Sequence, residues 1–157
     1  MIEEEVGRLL TRRKLTIAVA ESCTGGLVSH RLTNVPGSSV YFLGGIVAYA
    51  YAAKEQLLGV RRDILNEVGA VSEEVAREMA RGARRALGTD IAVAITGIAG
   101  PGGGLPGKPV GLTWIGLSTH DAELARKFVF GSDRQGNKKQ AAQAALTIVL
   151  DYLLVRA

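Results

Sequence analysis

The sequence predicts an α/β protein, a three-layer α/β/α sandwich around a mixed sheet, and three observations carry that reading. Short apolar runs at 16–20 and 91–95 each lead into a polar, glycine-containing loop. Segments of helical periodicity alternate with these runs, the order that places helices on the faces of a sheet. Two further runs near the C-terminus, 110–118 and 124–130, are joined through His120 and Asp121 as an antiparallel hairpin, so the sheet is not wound in one direction throughout.

Taken in order, Ile2, Val6, Leu9 and Leu10 recur at helical spacing and form a first amphipathic helix ending near Lys14. Strand one is 16–20. A helix over 24–33 turns Leu27, Val28 and Leu32 to one side and stops before Val35-Pro36-Gly37, since proline disfavours helix at the preceding residue. Ser38 and Ser39 occupy a turn. Residues 40–49 are rich in strand formers, and Gly44-Gly45 within them suggests a bulge or a close backbone approach. A short helix over 52–58 closes at Gly59 and another spans 62–68. Ser72 caps a longer one with Val75, Met79, Ala83 and Leu87 inward and Glu73 and Glu74 at its positive end. Strand three is 90–96. Residues 97–107 carry six glycines, and three of the four prolines fall between 101 and 109, which makes a loop poor in side chains. A last helix over 137–155 buries Ala141, Ala145, Ile148, Tyr152 and Val155. With 157 residues, no linker and no internal repeat, residues 1–157 read as a single domain.

Composition removes several classes of function. The net charge of +4 does not make a nucleic-acid surface, because the basic residues alternate with acids, as in Glu73, Glu74, Arg77, Glu78, Arg81, Arg84 and Arg85, a solvated helix face. At 5% aromatic residues there is also little to stack bases on. The uncharged span 32–53 is interrupted by Pro36, Gly37 and two serines, too short an apolar stretch to cross a membrane. The acidic start Glu3-Glu4-Glu5 lacks the form of a signal peptide, and the single cysteine, Cys23, suits a reducing compartment; a cytoplasmic location is the expectation.

The chemistry is narrowed in the same way. Gly102 to Lys108 has the spacing of a phosphate-cradling loop, but Pro109 stands where a Ser or Thr is needed and a strand follows instead of a helix. His30 and His120 are the only histidines and Cys23 has no partner, so no metal site and no Ser-His-Asp triad is expected. The two loops after the apolar strands, Glu21 to Gly26 and Thr96 to Pro101, lie where an open α/β sheet binds ligands, at strand ends beside helix N-termini. A hydroxyl nucleophile with a lysine base remains. Lys54 follows an apolar run and opens a short helix, where burial and the helix dipole would favour its neutral amine. Tyr49 lies five residues earlier. Ser39 is far from Tyr49 along an extended strand unless a bulge or another subunit intervenes. The residues alone leave open whether this trio acts together or only serves the fold.

Read together, Ala20-Glu21-Ser22-Cys23-Thr24-Gly25-Gly26, Pro36-Gly37-Ser38-Ser39, Tyr49 with Lys54, Gly69-Ala70-Val71-Ser72, Thr96 to Pro101 and Lys108-Pro109-Val110-Gly111 resemble the CinA C-terminal domain family across nearly the whole chain. The resemblance implies a mostly parallel five-stranded sheet and a nicotinamide-nucleotide amidase. Such an enzyme hydrolyses nicotinamide mononucleotide (NMN) to nicotinic acid mononucleotide and ammonia, in pyridine nucleotide salvage, without metal or other cofactor. It also implies self-association, with a dimer expected. Carried across by motif, Ser39 would be the nucleophile, Lys54 and Tyr49 the proton-handling pair, and Ser22 an assisting group. Thr24, Gly25, Thr96, Gly97, Gly100 and Arg134 would bind substrate, the arginine suiting its phosphate. The family commonly has Asn and Glu where this chain has Tyr51 and Ala52, and Ser-Gly-Asp-Arg where it has Gly131-Ser132-Asp133-Arg134, changes that leave substrate preference open. Members often carry a further N-terminal domain, and the stand-alone form is the expectation for this chain. The alternative is a catalytically silent nucleotide-binding or interaction domain.

Overall fold

The computed structural model describes residues 1–156. Its elements, in chain order, are α1 (Ile2–Arg13), β1 (Ile17–Glu21), α2 (Leu27–Thr33), β2 (Phe42–Val47), α3 (Tyr51–Leu58), α4 (Arg62–Val68), α5 (Glu73–Leu87), β3 (Ile91–Gly97), β4 (Leu112–Thr119), β5 (Glu123–Val129) and α6 (Arg134–Val155). A single turn of 3-10 helix, Ser38–Val40, precedes β2.

The five strands form one sheet in the order β2-β1-β3-β4-β5. β1 pairs parallel with both β2 and β3, and β4 pairs antiparallel with β3 and β5, so β4 alone runs against the other four. Expected and observed architecture agree: a mixed, mostly parallel, five-stranded sheet between two helical layers. Register between β1 and β2 slips beside Gly44, the irregularity its glycine pair suggests.

The alternation of side-chain size along the central strands explains the layering. Ile17, Val19, Ile91, Val93, Ile95, Ile115 and Leu117 fill one face and pack with α1, α2 and α6. On the other face the same strands present Ala18, Ala20, Ala92 and Ala94, against which Val75, Met79 and Ala83 of α5 are buried. Small residues let α5 lie close: a Cβ at Gly116 would overlap the Ala76 carbonyl, and one at Gly82 the Leu58 carbonyl. Cap chemistry begins α5, with Ser72 Oγ accepting from Val75 N–H at 3.3 Å, and Gly88 ends it in the left-handed region at φ 63°.

Most boundaries fall within a few residues of expectation, and two differences have physical causes. Helix α6 starts at Arg134 instead of Asn137, because Asp133 caps it, its carboxylate accepting from Gly136 N–H at 2.8 Å. Val155, expected inward, is 80% exposed at the last position of α6. Among the described residues no helix is long and apolar enough to cross a membrane.

Candidate active site

The sheet delivers the two predicted loops to one end. Central strand β1 is paired on both sides up to Glu21, and the ladder continues one residue further, with Ser22 N–H donating to Ile95 O at 3.0 Å. Ser22 therefore stands on a fixed backbone at the carboxyl end of the sheet. On the neighbouring strand, Ala48 N–H donates to Glu21 O at 2.9 Å, which brings the β2–α3 connection alongside.

Lys54 enters from that connection. It is the fourth residue of α3, and a helical side chain leans toward its own N-terminus, here toward the incoming chain. Its Nζ donates to Ser22 Oγ at 2.9 Å, to Ala48 O at 2.9 Å and to Tyr49 O at 2.8 Å. Its side chain is 1% exposed, and among the described residues no carboxylate pairs with it. Burial without a counter-ion lowers its pKa from the ordinary 10.5 to about 8, against a smaller opposing pull from Cys23. The neighbouring Cys23 thiol moves the other way, pushed up to about 11 by burial, so it stays protonated and a poor nucleophile.

The fold separates the candidate serines. Ser22 is in hydrogen-bond contact with the amine. Ser39 lies exposed in the 3-10 turn at the other end of β2, a strand of six residues spanning about 20 Å. Within one chain the fold does not bring Ser39 to Lys54, because a parallel sheet separates the beginnings of its strands from their ends.

The remaining predicted residues divide into those at the mouth and those that build it. Tyr49 is 63% exposed; its main-chain carbonyl holds Lys54, while its hydroxyl accepts from Arg134 Nη2 at 3.3 Å. Arg134 Nη1 donates to Gly100 O at 2.7 Å, so this guanidinium bridges the third-strand loop and Tyr49. An open cavity lined by Gly100, Pro101, Val110, Ser132, Arg134 and Gln135 adjoins it. Gly25 N–H donates to Ser22 O at 3.1 Å, and its missing side chain leaves room beside Lys138 Nζ. Thr24 is buried with its hydroxyl unpartnered among protein groups. Thr96 and Gly97 serve the framework: Thr96 Oγ1 donates to Ala70 O at 2.9 Å, and a Cβ at Gly97 would press on Thr113 Oγ1 and Cys23 Sγ.

Two further residues at this end of the sheet carried no sequence signal for their placement. Asn137 is buried, accepting from Ser132 N–H at 2.9 Å and donating to Ala99 O at 3.0 Å, so it ties the segment before α6 to the loop after β3. Lys138 stands one turn beyond Arg134, its Nζ 3.8 Å from where a Cβ on Gly25 would lie, so the packing of α6 brings a second cation to the Ser22 loop. His30 and His120 are exposed and remote from these groups in the fold, and among the described residues no three His, Cys, Asp or Glu side chains gather as metal ligands.

An α/β/α sandwich that buries a serine-lysine pair at its strand ends is thus the architecture in hand, and comparison with known proteins gives it a family. The family model for the CinA C-terminal domain matches residues 1–153, and the chain belongs to that family. A CinA-like protein of Chloroherpeton thalassium is 51% identical over 97% of this chain, which covers 37% of that protein; the chain spans about a third of the length of the curated relatives it matches. Among solved structures, the competence damage-inducible protein A of Klebsiella pneumoniae superposes with a TM-score of 0.94 at 32% identity, covering 98% of this chain and 95% of that one. The competence/damage inducible protein of Agrobacterium tumefaciens gives 0.91 at 38% identity, covering 96% and 94%.

Proposed function

We propose that the chain is an amidohydrolase that converts nicotinamide mononucleotide to nicotinic acid mononucleotide and ammonia by acyl-enzyme chemistry, with Ser22 as nucleophile and Lys54 as its base. The observation that carries this reading is the 2.9 Å contact between a buried, unpaired amine and a serine hydroxyl at a strand end. Neutral Lys54 has two N–H bonds and one lone pair. With the carbonyls of Ala48 and Tyr49 taking the two N–H bonds, the lone pair is left facing Ser22.

In that state Lys54 takes the hydroxyl proton as Ser22 Oγ adds to the carboxamide carbon. The resulting ammonium returns the proton to the departing nitrogen, ammonia leaves, and a Ser22 ester remains. Water, deprotonated by the same amine, adds to the ester, and the acid departs as Ser22 recovers its proton. Arg134 grips the phosphate, and Tyr49, held by the same guanidinium, borders the ring. Ser39 has no part in this scheme within one subunit.

The test is ammonia release from the mononucleotide by the purified wild type, beside Ser22→Ala and Lys54→Met. Turnover by wild type and its loss in both variants supports the assignment. Binding of the mononucleotide without turnover would identify a nucleotide-binding domain instead.

A further inference from the structure

Glu21 is a fully buried carboxylate with no part in the proposed acyl transfer. Its oxygens accept from Val28 N–H at 3.0 Å, Ser29 N–H at 2.9 Å and Ser29 Oγ at 2.8 Å. These are first-turn groups of α2, whose own N-cap is Gly26 at φ 108°, with no side chain to offer. The helix is therefore capped from across the loop by the residue that precedes Ser22.

We infer that Glu21 is the positioning residue of the site, fixing the Ser22–Gly26 loop so that Ser22 Oγ meets Lys54. The inference rests on the Ser22–Lys54 assignment and extends it. Residue 21 is immobilised twice. Its main chain is paired with Val47 on one side and Ile95 on the other, and its side chain is locked to α2 by three donors. Between these anchors the loop has only five residues. Position 26, at φ 108°, disfavours any capping side chain of its own, so the cap comes from a buried charge despite its desolvation cost. What the carboxylate adds is a rigid tie between both ends of the loop that carries the nucleophile. Gly45 belongs to the same device, because a Cβ there would strike Ser29 Oγ and displace the hydroxyl that completes the set.

Glu21→Gln keeps the volume but sets an amide NH2 against a backbone donor, and misplacement of a nucleophile by about 1 Å costs about 100-fold in rate. The expected result is a folded protein with kcat for the mononucleotide reduced about 10- to 100-fold, KM within about twofold, and the midpoint of the pH–rate curve unmoved. Ser29→Ala, which removes one donor and spares the fold, is expected to lower kcat about threefold to tenfold in the same pattern. A kcat within twofold of wild type in either variant overturns the inference. So does a displaced pH midpoint, which would make Glu21 a charge acting on Lys54. Two readouts are independent of the amidase reading: acylation of Ser22 by p-nitrophenyl acetate, and hydrogen exchange of the 22–29 amides. Should wild type release no ammonia, that reading alone fails; unchanged acylation and exchange in both variants would refute the role of Glu21.

Discussion

Lys54 Nζ and Ser22 Oγ, 32 residues apart in sequence, stand 2.9 Å from each other with the amine sealed from solvent. Removing either group should remove acyl transfer. Ser22→Ala and Lys54→Met are each expected to lower kcat for ammonia release by at least about 1,000-fold, as loss of a nucleophile or its base does elsewhere. Ser39→Ala, in the same assay, is expected to stay within about threefold of wild type. If Ser39→Ala were the inactive variant, the nucleophile would have to come from a second copy of the chain.

The lowered pKa of Lys54 sets the pH dependence. In the proposed mechanism the active form is the neutral amine, and with a pKa of about 8 roughly a tenth of it is neutral at pH 7 and nine-tenths at pH 9. The rate should rise about tenfold over that interval and then level off; a flat profile would remove Lys54 as base.

Stability should follow the same group with its own sign. Between pH 8 and 10.5 the unfolded chain holds a proton on Lys54 that the folded protein has lost, so stability from this residue rises with pH in that window. Below it both states are charged and the burial penalty is constant. Urea unfolding of wild type against Lys54→Met across this range would reveal the slope, which the variant should lack.

Replacing Arg134 should separate binding from chemistry. Its guanidinium sits on Gly100 O and Tyr49 Oη and lies outside the Ser22–Lys54 contact. Arg134→Ala should raise KM for the mononucleotide about 10- to 100-fold, the worth of a charged hydrogen bond, with a smaller change in kcat. Nicotinamide riboside, which has no phosphate, should not distinguish wild type from the variant.

Close packing of α5 makes a prediction about the fold alone. Gly82→Ala would push a methyl into the Leu58 carbonyl at the end of α3, and overpacking of this kind costs about 1–3 kcal/mol. A lower urea midpoint with an unchanged unfolding slope is the expected outcome.

The sequence by itself determined the sandwich. The Ile/Val against Ala alternation of β1 and β3, the Ser72 cap and the Pro36-Gly37 break each act within a few residues, so local chemistry wrote them legibly. It likewise marked both loops at the strand ends and singled out Lys54 as a lysine in apolar company. Only the tertiary structure decided which hydroxyl that amine meets, because Ser22 and Ser39 are both serines in short turns within three residues of a glycine, and the difference lies in which end of a parallel strand each occupies. The parallel pairing of β1 with β2 carries Lys54 to the end of the sheet where Ser22 waits, and leaves Ser39 a strand's length away. The capping of α2 by Glu21 and the tie through Asn137 were invisible for the same reason: each joins groups through a fold that had first to form.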